Sequence, residues 1–183
     1  MSGPKEKLLL HVCCAPCSGL LSQQLKGRFE IVVYFDNPNI WPESEFLKRA
    51  KEAEKFYGDQ GVGFIITGWN HDEWKKSAEG LEQEPEKGRR CKSCYHYRLK
   101  NAAEFAAQNN FDYFTTSLLI SPWKDAEALR NIGLALAKKR GVNFYAADFQ
   151  ANGGYNKSRA FAREQGFYAQ KYCGCEYSAG ARP

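Results

Sequence analysis

No apolar run in this 183-residue chain approaches the roughly 20 residues that a membrane-crossing helix requires, so no membrane partner is expected. A signal-peptide cleavage pattern is missing as well. Met-Ser-Gly-Pro-Lys-Glu-Lys runs straight into the strand-like Leu8–Val12. A cytoplasmic address is therefore expected, where structural disulfides are rare. The odd count of seven cysteines argues the same way, because a disulfide framework pairs its cysteines evenly. Internal repeats and low-complexity segments are absent too.

What is present suffices for one compact domain, 1–183, since 43% of the residues are hydrophobic and a chain of this length buries a substantial core. The formal net charge of +5 permits a polyanionic partner such as RNA. Basic residues bunch at two places. Arg89-Arg90 directly precede a cysteine pair, and Lys157, Arg159, Arg163 and Lys171 lead into another. Such bunching suggests an anionic substrate.

Apolar β-rich runs alternate with amphipathic stretches. Strands are expected at Leu8–Cys13, Ile31–Phe35, Phe64–Thr67, Tyr113–Leu119 and Asn143–Phe149. Helices are expected at Ala15–Lys26, Pro42–Tyr57, His71–Ala78, Cys91–Asn109, Trp123–Arg140 and Asn156–Gln165. Residues 79–90, polar and rich in Glu, Gly and Pro at first, read as a loop or lid near the site. This alternation implies βαβ crossovers and an α/β fold with a single doubly wound, mostly parallel five-stranded sheet. Ligands of such sheets sit beyond the carboxyl ends of the strands. There the sequence places Cys13 and Cys14, Asp36, and Ser117–Ser121.

All seven cysteines fall in three tight clusters: Cys13-Cys14-Ala-Pro-Cys17, Cys91-Lys-Ser-Cys94 and Cys173-Gly-Cys175. Structural cysteines scatter with a core and have no reason to fall two or three residues apart. Folding is expected to assemble a metal site, an iron–sulfur cluster or a dithiol. In the first cluster a helix opens near Pro16, and a helix N-terminus lowers thiol pKa toward the thiolate that metals require. Cys14-Ala-Pro-Cys17 alone also has thioredoxin-like spacing, and Cys91-x-x-Cys94 alone also suits a structural zinc knuckle. Cys91 and Cys94 share one helix face, with Arg98 nearly in line. A disulfide across the single residue Gly174 closes a cramped ring, which suits electron relay better than stapling. His11 and His96 read as packing or supporting residues. Trp41, Trp69, Trp74 and Trp123 read as core or rim.

Five segments together resemble the QueH-type epoxyqueuosine reductases. They are His11-Val-Cys-Cys-Ala-Pro-Cys17, Asp36-Asn-Pro-Asn-Ile40, Cys91-x-x-Cys94-Tyr95 with Arg98, Thr115-Thr-Ser117 through Ser121-Pro122, and Tyr172-Cys-Gly-Cys-x-Tyr-Ser178. The resemblance runs in order over nearly the whole chain. It implies the last step of queuosine synthesis, in which an epoxide on the wobble base of tRNA is reduced and its oxygen leaves as water. It also implies a Rossmann-type domain similar to the nucleotide-α-hydrolase (HUP) group. Cobalamin is not expected. Neither is ATP, because Cys-Cys-Ala-Pro-Cys stands where ATP-using relatives carry a phosphate loop.

By the same resemblance, Cys13, Cys14, Cys91 and Cys94 hold a [4Fe–4S] cluster, and Cys173 and Cys175 form a redox-active pair. Some relatives carry Asp at the position of Cys17 and use it as a ligand, with a mononuclear iron or other metal nearby. Cys17 is then a candidate metal ligand here. Asp36, Tyr95 and Tyr177 are candidate proton donors. Arg89, Arg90 and Arg98 are candidate contacts to tRNA carrying epoxyqueuosine, and an external electron donor is required. A HUP-type tRNA sulfur-transferase and a zinc-stabilised RNA-binding module are the alternative readings.

Overall fold

The computed structural model describes residues 3–178. Five strands form one parallel sheet: β1 (Glu6–His11), β2 (Phe29–Phe35), β3 (Gly63–Ile66), β4 (Tyr113–Thr116) and β5 (Asn143–Phe144). The spatial order is β3-β2-β1-β4-β5. The chain thus moves outward from β1 to β3 and then crosses back to lay β4 on the other side of β1. The switch point lies between β1 and β4, and at their carboxyl ends a crevice opens for a ligand.

Side-chain alternation along β1 decides which helices cover which face. Leu8 and Leu10 pack with Val33 and Phe35 of β2 under α1 (Ala15–Leu25) and α2 (Glu43–Asp59). Leu9 points the other way and packs with Tyr34 and Phe114. That second face is covered by α4 (Arg89–Gln108), through Leu99, Ala102, Ala103 and Ala106, and by α5 (Ala126–Arg140). A short α3 (His71–Ala78) precedes α4, and α6 (Gly154–Glu164) packs on α1. No helix among the described residues is long and apolar enough to cross a membrane.

Two expected strands are shorter than their apolar runs. β4 ends at Thr116, whose hydroxyl accepts from Leu118 N and starts a 3₁₀ turn over Ser117–Ile120. β5 pairs with β4 only as far as Phe114, while Thr115 and Thr116 still pair with β1. It ends at Phe144 rather than Phe149, after one last bond from Tyr145 N to Phe114 O at 2.9 Å. The helix expected from Trp123 begins at Ala126, because Asp125 caps it by accepting from Ala128 N at 2.9 Å. Trp123 and Lys124 are therefore loop residues. Conversely, α4 begins two residues before Cys91, since Glu84 accepts from Arg89 N at 3.0 Å and starts the helix there.

A candidate metal and redox centre

The first cluster occupies the turn from β1 into α1. Cys14 is the extended residue that caps α1, with Pro16 in the first turn. The helix therefore points its unpaired amides at the thiols. The Cys13 and Cys14 sulfurs are 3.5 Å apart, and those of Cys13, Cys14 and Cys17 all lie within 4.8 Å of one another. Cys13 is held well below the usual thiol pKa, first by hydrogen bonds from Cys14 and Cys17 and then by the Arg98 and Arg49 cations, against the cost of burial. Cys14 is pushed up to about 12 because it holds its proton toward Cys13, and Cys17 is raised for the same reason. The three sulfurs share one thiolate.

α4 supplies the second wall. Cys91, Cys94, Tyr95 and Arg98 follow an i, i+3, i+4, i+7 stripe and line one cavity with Cys13 and Cys17. The third cluster closes it, since Cys173 and Cys175 line the same cavity. Both are free thiols here, like the other five cysteines. Cys173 is drawn well below the usual value by a hydrogen bond from Cys175, helped by Lys124 and Ser178. Cys175 is raised because it keeps the shared proton.

Gly174 explains the Cys-Gly-Cys spacing. Its φ is +110°, and an added Cβ would stand 2.8 Å from Ile40 Cγ1 and 3.2 Å from a nitrogen of Arg49. Only glycine takes this bend against Ile40 without strain. Arg49, 1% exposed, straps the segment down. It is paired with Glu45 at 2.7 Å and donates to the carbonyls of Cys173 (3.3 Å) and Tyr172 (3.4 Å). Trp41 N donates to Gly174 O at 2.8 Å, and His71 reaches Glu176 at 3.3 Å.

The Asp36-Asn-Pro-Asn segment is the scaffold between these walls. Asn37 donates to Val12 O at 2.8 Å and accepts from Arg98. Asp36 accepts from Thr67 and Asn101, both at 2.8 Å, and lies outside the cavity lining. Burial raises its pKa in spite of those donors. His11 is buried between Thr116 Oγ1 (2.8 Å) and Asp36 O (3.1 Å). Burial first, and then Arg98, lowers its pKa to about 3, so it is neutral. His96 is exposed.

Of the three proton-donor candidates, only Tyr95 lines the cavity, with its pKa raised by burial, whereas Tyr177 packs beside Trp74. The three arginines separate as well. Arg89 is exposed and paired with Glu84, off the cavity. Arg90 and Arg98 line it but are 4% and 3% exposed, as wall rather than outer surface. Cys14 is buried just behind the lining, where Gln170 donates to its sulfur at 2.8 Å.

Sequence reasoning passed over Arg49, Lys124 and Gln170. Burial acts to lower the Lys124 pKa, but Cys173, Tyr95, Glu86 and Cys91 around it outweigh that and hold it up. Nothing local in the sequence flags these residues, because each meets the cysteines across more than 30 positions. Five cations, Arg49, Arg90, Arg98, Lys124 and Arg159, line the cavity, and no carboxylate does among the described residues. Among the described residues, the buried side-chain polar atoms without a hydrogen-bond partner are almost confined to this wall: Asn39, Trp74, Arg90, Arg98, Ser117 and Gln170 contribute all but one. Native proteins rarely bury polar groups unpaired. A cavity lined by thiols, cations and unpaired polar atoms is built to receive a polar group, and its cations favour an anionic one.

A model of the epoxyqueuosine reductase QueH family matches residues 8–181. The chain belongs to the QueH family. A relative from Haemophilus influenzae, named epoxyqueuosine reductase QueH, is 40% identical over 175 residues, which cover 94% of this chain and 71% of that one. The relatives of the same name from Acinetobacter baylyi and Thermotoga maritima are 38% and 32% identical; the match covers 94% and 93% of this chain, and 80% and 89% of theirs. Among solved structures, a U34-tRNA thiolase, NcsA from Methanococcus maripaludis with its [4Fe–4S] cluster, has a TM-score of 0.57 at 12% identity, covering 96% of this chain and 62% of its own. A predicted tRNA methyltransferase subunit from Methanocaldococcus jannaschii has a TM-score of 0.55 at 13% identity, covering 86% and 76%. At those identities the likeness is one of fold, and the QueH-family chain shares it.

Proposed function

We propose that this chain reduces epoxyqueuosine to queuosine in tRNA, in the cavity where the three cysteine clusters meet. The observation that carries the reading is that convergence, on a wall with five cations and no carboxylate. The residues suit a thiolate-held cluster. Three sulfurs lie within 4.8 Å of one another, one is biased to thiolate, and the buried Arg90 and Arg98 lack carboxylate partners among the described residues. Buried guanidinium groups need a compensating negative charge, and a thiolate cluster supplies one. Cys13, Cys14, Cys91 and Cys94 would hold a [4Fe–4S] cluster, with Cys17 available to a second metal. When bound, that centre supplies single electrons from an external donor, and two are needed for each epoxide.

The chain's own residues do the rest. Arg98 and Arg49 favour the thiolate form of Cys13, and Lys124 favours that of Cys173. Cys173 and Cys175 together carry one proton and two reducing equivalents beside the cavity, in keeping with a redox pair. Tyr95, buried on the same wall with its proton retained, is the proton donor we favour over Asp36 and Tyr177.

Anaerobically purified protein should contain about four iron and four sulfide per chain, with further metal where Cys17 is used. Cys94→Ser should strip the cluster. Cys175→Ser should abolish epoxide reduction while iron content and visible spectrum stay near wild type. Parallel loss of iron in Cys175→Ser would make it a ligand and sink the relay assignment.

A further inference from the structure

One side-chain amide of the cavity wall has a sulfur as its only hydrogen-bond partner. We propose that Gln170 sets the reduction potential of the metal centre by donating its amide N–H to the Cys14 sulfur. This rests on the reading above that Cys14 is a cluster ligand.

Gln170 Nε2 lies 2.8 Å from Cys14 Sγ, and no other hydrogen bond holds this side chain among the described residues. Its Oε1 is buried without a partner. Native proteins rarely keep such an orphan acceptor, and a residue kept here only to fill space would be apolar. The donor end accounts for the amide. A cysteine that holds a metal does so as the thiolate. A thiolate has no proton to give, so the N–H is the end of the amide that it accepts from.

The donor is fixed from both sides. Two residues before it, Tyr168 N donates to Glu52 at 2.7 Å and Tyr168 Oη to Glu45 at 3.3 Å, with the Lys48 ammonium 3.3 Å from the Tyr168 ring centre. Two residues after it, Tyr172 Oη donates to Trp41 O at 2.5 Å, and Arg49 donates to the Tyr172 carbonyl at 3.4 Å. Glu45, Lys48, Arg49 and Glu52 all stand on α2, which packs on α1, the helix that Cys14 caps. Donor and acceptor are thus held in register before any change of charge on the sulfur.

A second sulfur of the proposed ligand set is treated alike. Lys87, in the left-handed region at φ +69°, turns its backbone N–H to Cys91 Sγ at 3.3 Å. An N–H aimed at a thiolate ligand stabilises the state of the centre with one more electron, which raises the reduction potential. Lys87 acts through the backbone, whereas Gln170 acts through a replaceable side chain. Because the amide is neutral, an apolar replacement leaves the net charge of the wall unchanged.

The test is an anaerobic potentiometric titration of purified holoprotein, followed by electron paramagnetic resonance of the reduced centre. Gln170→Leu should shift the equilibrium between the two redox states about tenfold toward the oxidised one, the scale of one hydrogen bond to a charged group. That is a midpoint lower by ~59 mV for one electron. Gln170→Met, of similar length and also without a donor, should give the same shift. Ala169→Ser, at the exposed neighbouring position, should keep the wild-type midpoint. Iron content and circular dichroism should match wild type in all three.

A wild-type midpoint in folded, iron-replete Gln170→Leu or Gln170→Met would overturn the tuning role and leave the cluster reading standing. Loss of iron from both would overturn it as well, by making Gln170 a support of the centre rather than a tuner of it. Where one variant sheds its iron, the midpoint of the other decides. Wild-type protein that holds no iron–sulfur centre would sink the cluster reading, and the tuning role with it.

Discussion

Replacing Arg49 with Met tests whether one buried cation holds the Cys173–Cys175 segment in place. The guanidinium is 1% exposed, its partner Glu45 is 11% exposed, and they meet at 2.7 Å. The same head group donates to the carbonyls of Cys173 and Tyr172, and lies 5.3 Å from the Tyr172 ring centre. Breaking a buried pair by removing one partner costs about 3–5 kcal/mol, because the remaining charge is uncompensated. The two carbonyls add to this, though contributions within one network do not sum. We expect a total near ~4 kcal/mol, or a melting temperature lower by about 10 °C for a chain of this size. Adding Glu45→Gln should recover part of the loss, since the stranded carboxylate then disappears. Arg49→Lys should fall between, with its charge kept and its fork lost. The strap also predicts a local effect. Trypsin should cut after the exposed Lys171 faster in Arg49→Met than in wild type, at temperatures where both are folded. Differential scanning calorimetry and timed proteolysis would check both. An unchanged melting temperature with unchanged cleavage would refute the strap.

Acid should expose the buried histidine. The folded pKa of His11 is about 3 against an unfolded value of 6.5, so its contribution is whole above pH 6.5 and declines as pH falls toward 3, by up to ~5 kcal/mol. Asp36, with its pKa raised, acts in the opposite sense, because folding favours its protonated form. Denaturant midpoints of wild type and His11→Gln from pH 7 to 4 should converge, and parallel curves would contradict this account. Gly174→Ala should cost ~1–3 kcal/mol of backbone strain and contact and lower turnover without removing iron, as metal analysis beside an activity assay would show. Retained activity would mean that the bend is not needed to set the two thiols.

Most of the fold was legible because its signals are local. α3 has the bounds that its pattern indicates, and five strands separated by helices did close into one parallel sheet. The errors arose where a side chain overrides an apolar run. The Thr116 hydroxyl ends β4, β5 stops pairing at Phe114, and the Asp125 cap keeps Trp123 and Lys124 out of α5. The thiols announced themselves through spacings that packing does not require. Their neighbours did not, since Arg49, Lys124 and Arg159 meet the cysteines only through tertiary contacts. Arg89 and Arg90 show the limit of adjacency, because consecutive residues on a helix point about 100° apart. One reaches solvent and the other the cavity wall.

The cavity takes its walls from three stretches that leave the ribosome at different times. The Cys13–Cys17 turn emerges early, and α4 with Cys91 and Cys94 about midway. The Tyr172–Cys175 strap comes last and fastens onto Arg49, a residue synthesised more than 120 positions before it. Since domains fold from the N-terminal side during synthesis, a nascent chain passes through a stage in which the sheet and the first two cysteine walls exist while the third side stands open. A thiolate-held metal centre of the kind proposed above would have its widest entrance at that stage. Once the Tyr172–Cys175 segment is down, Cys173 and Cys175 close the third side of the cavity. The order of the clusters along the chain thus makes assembly of the cavity sequential, with its third side closing last.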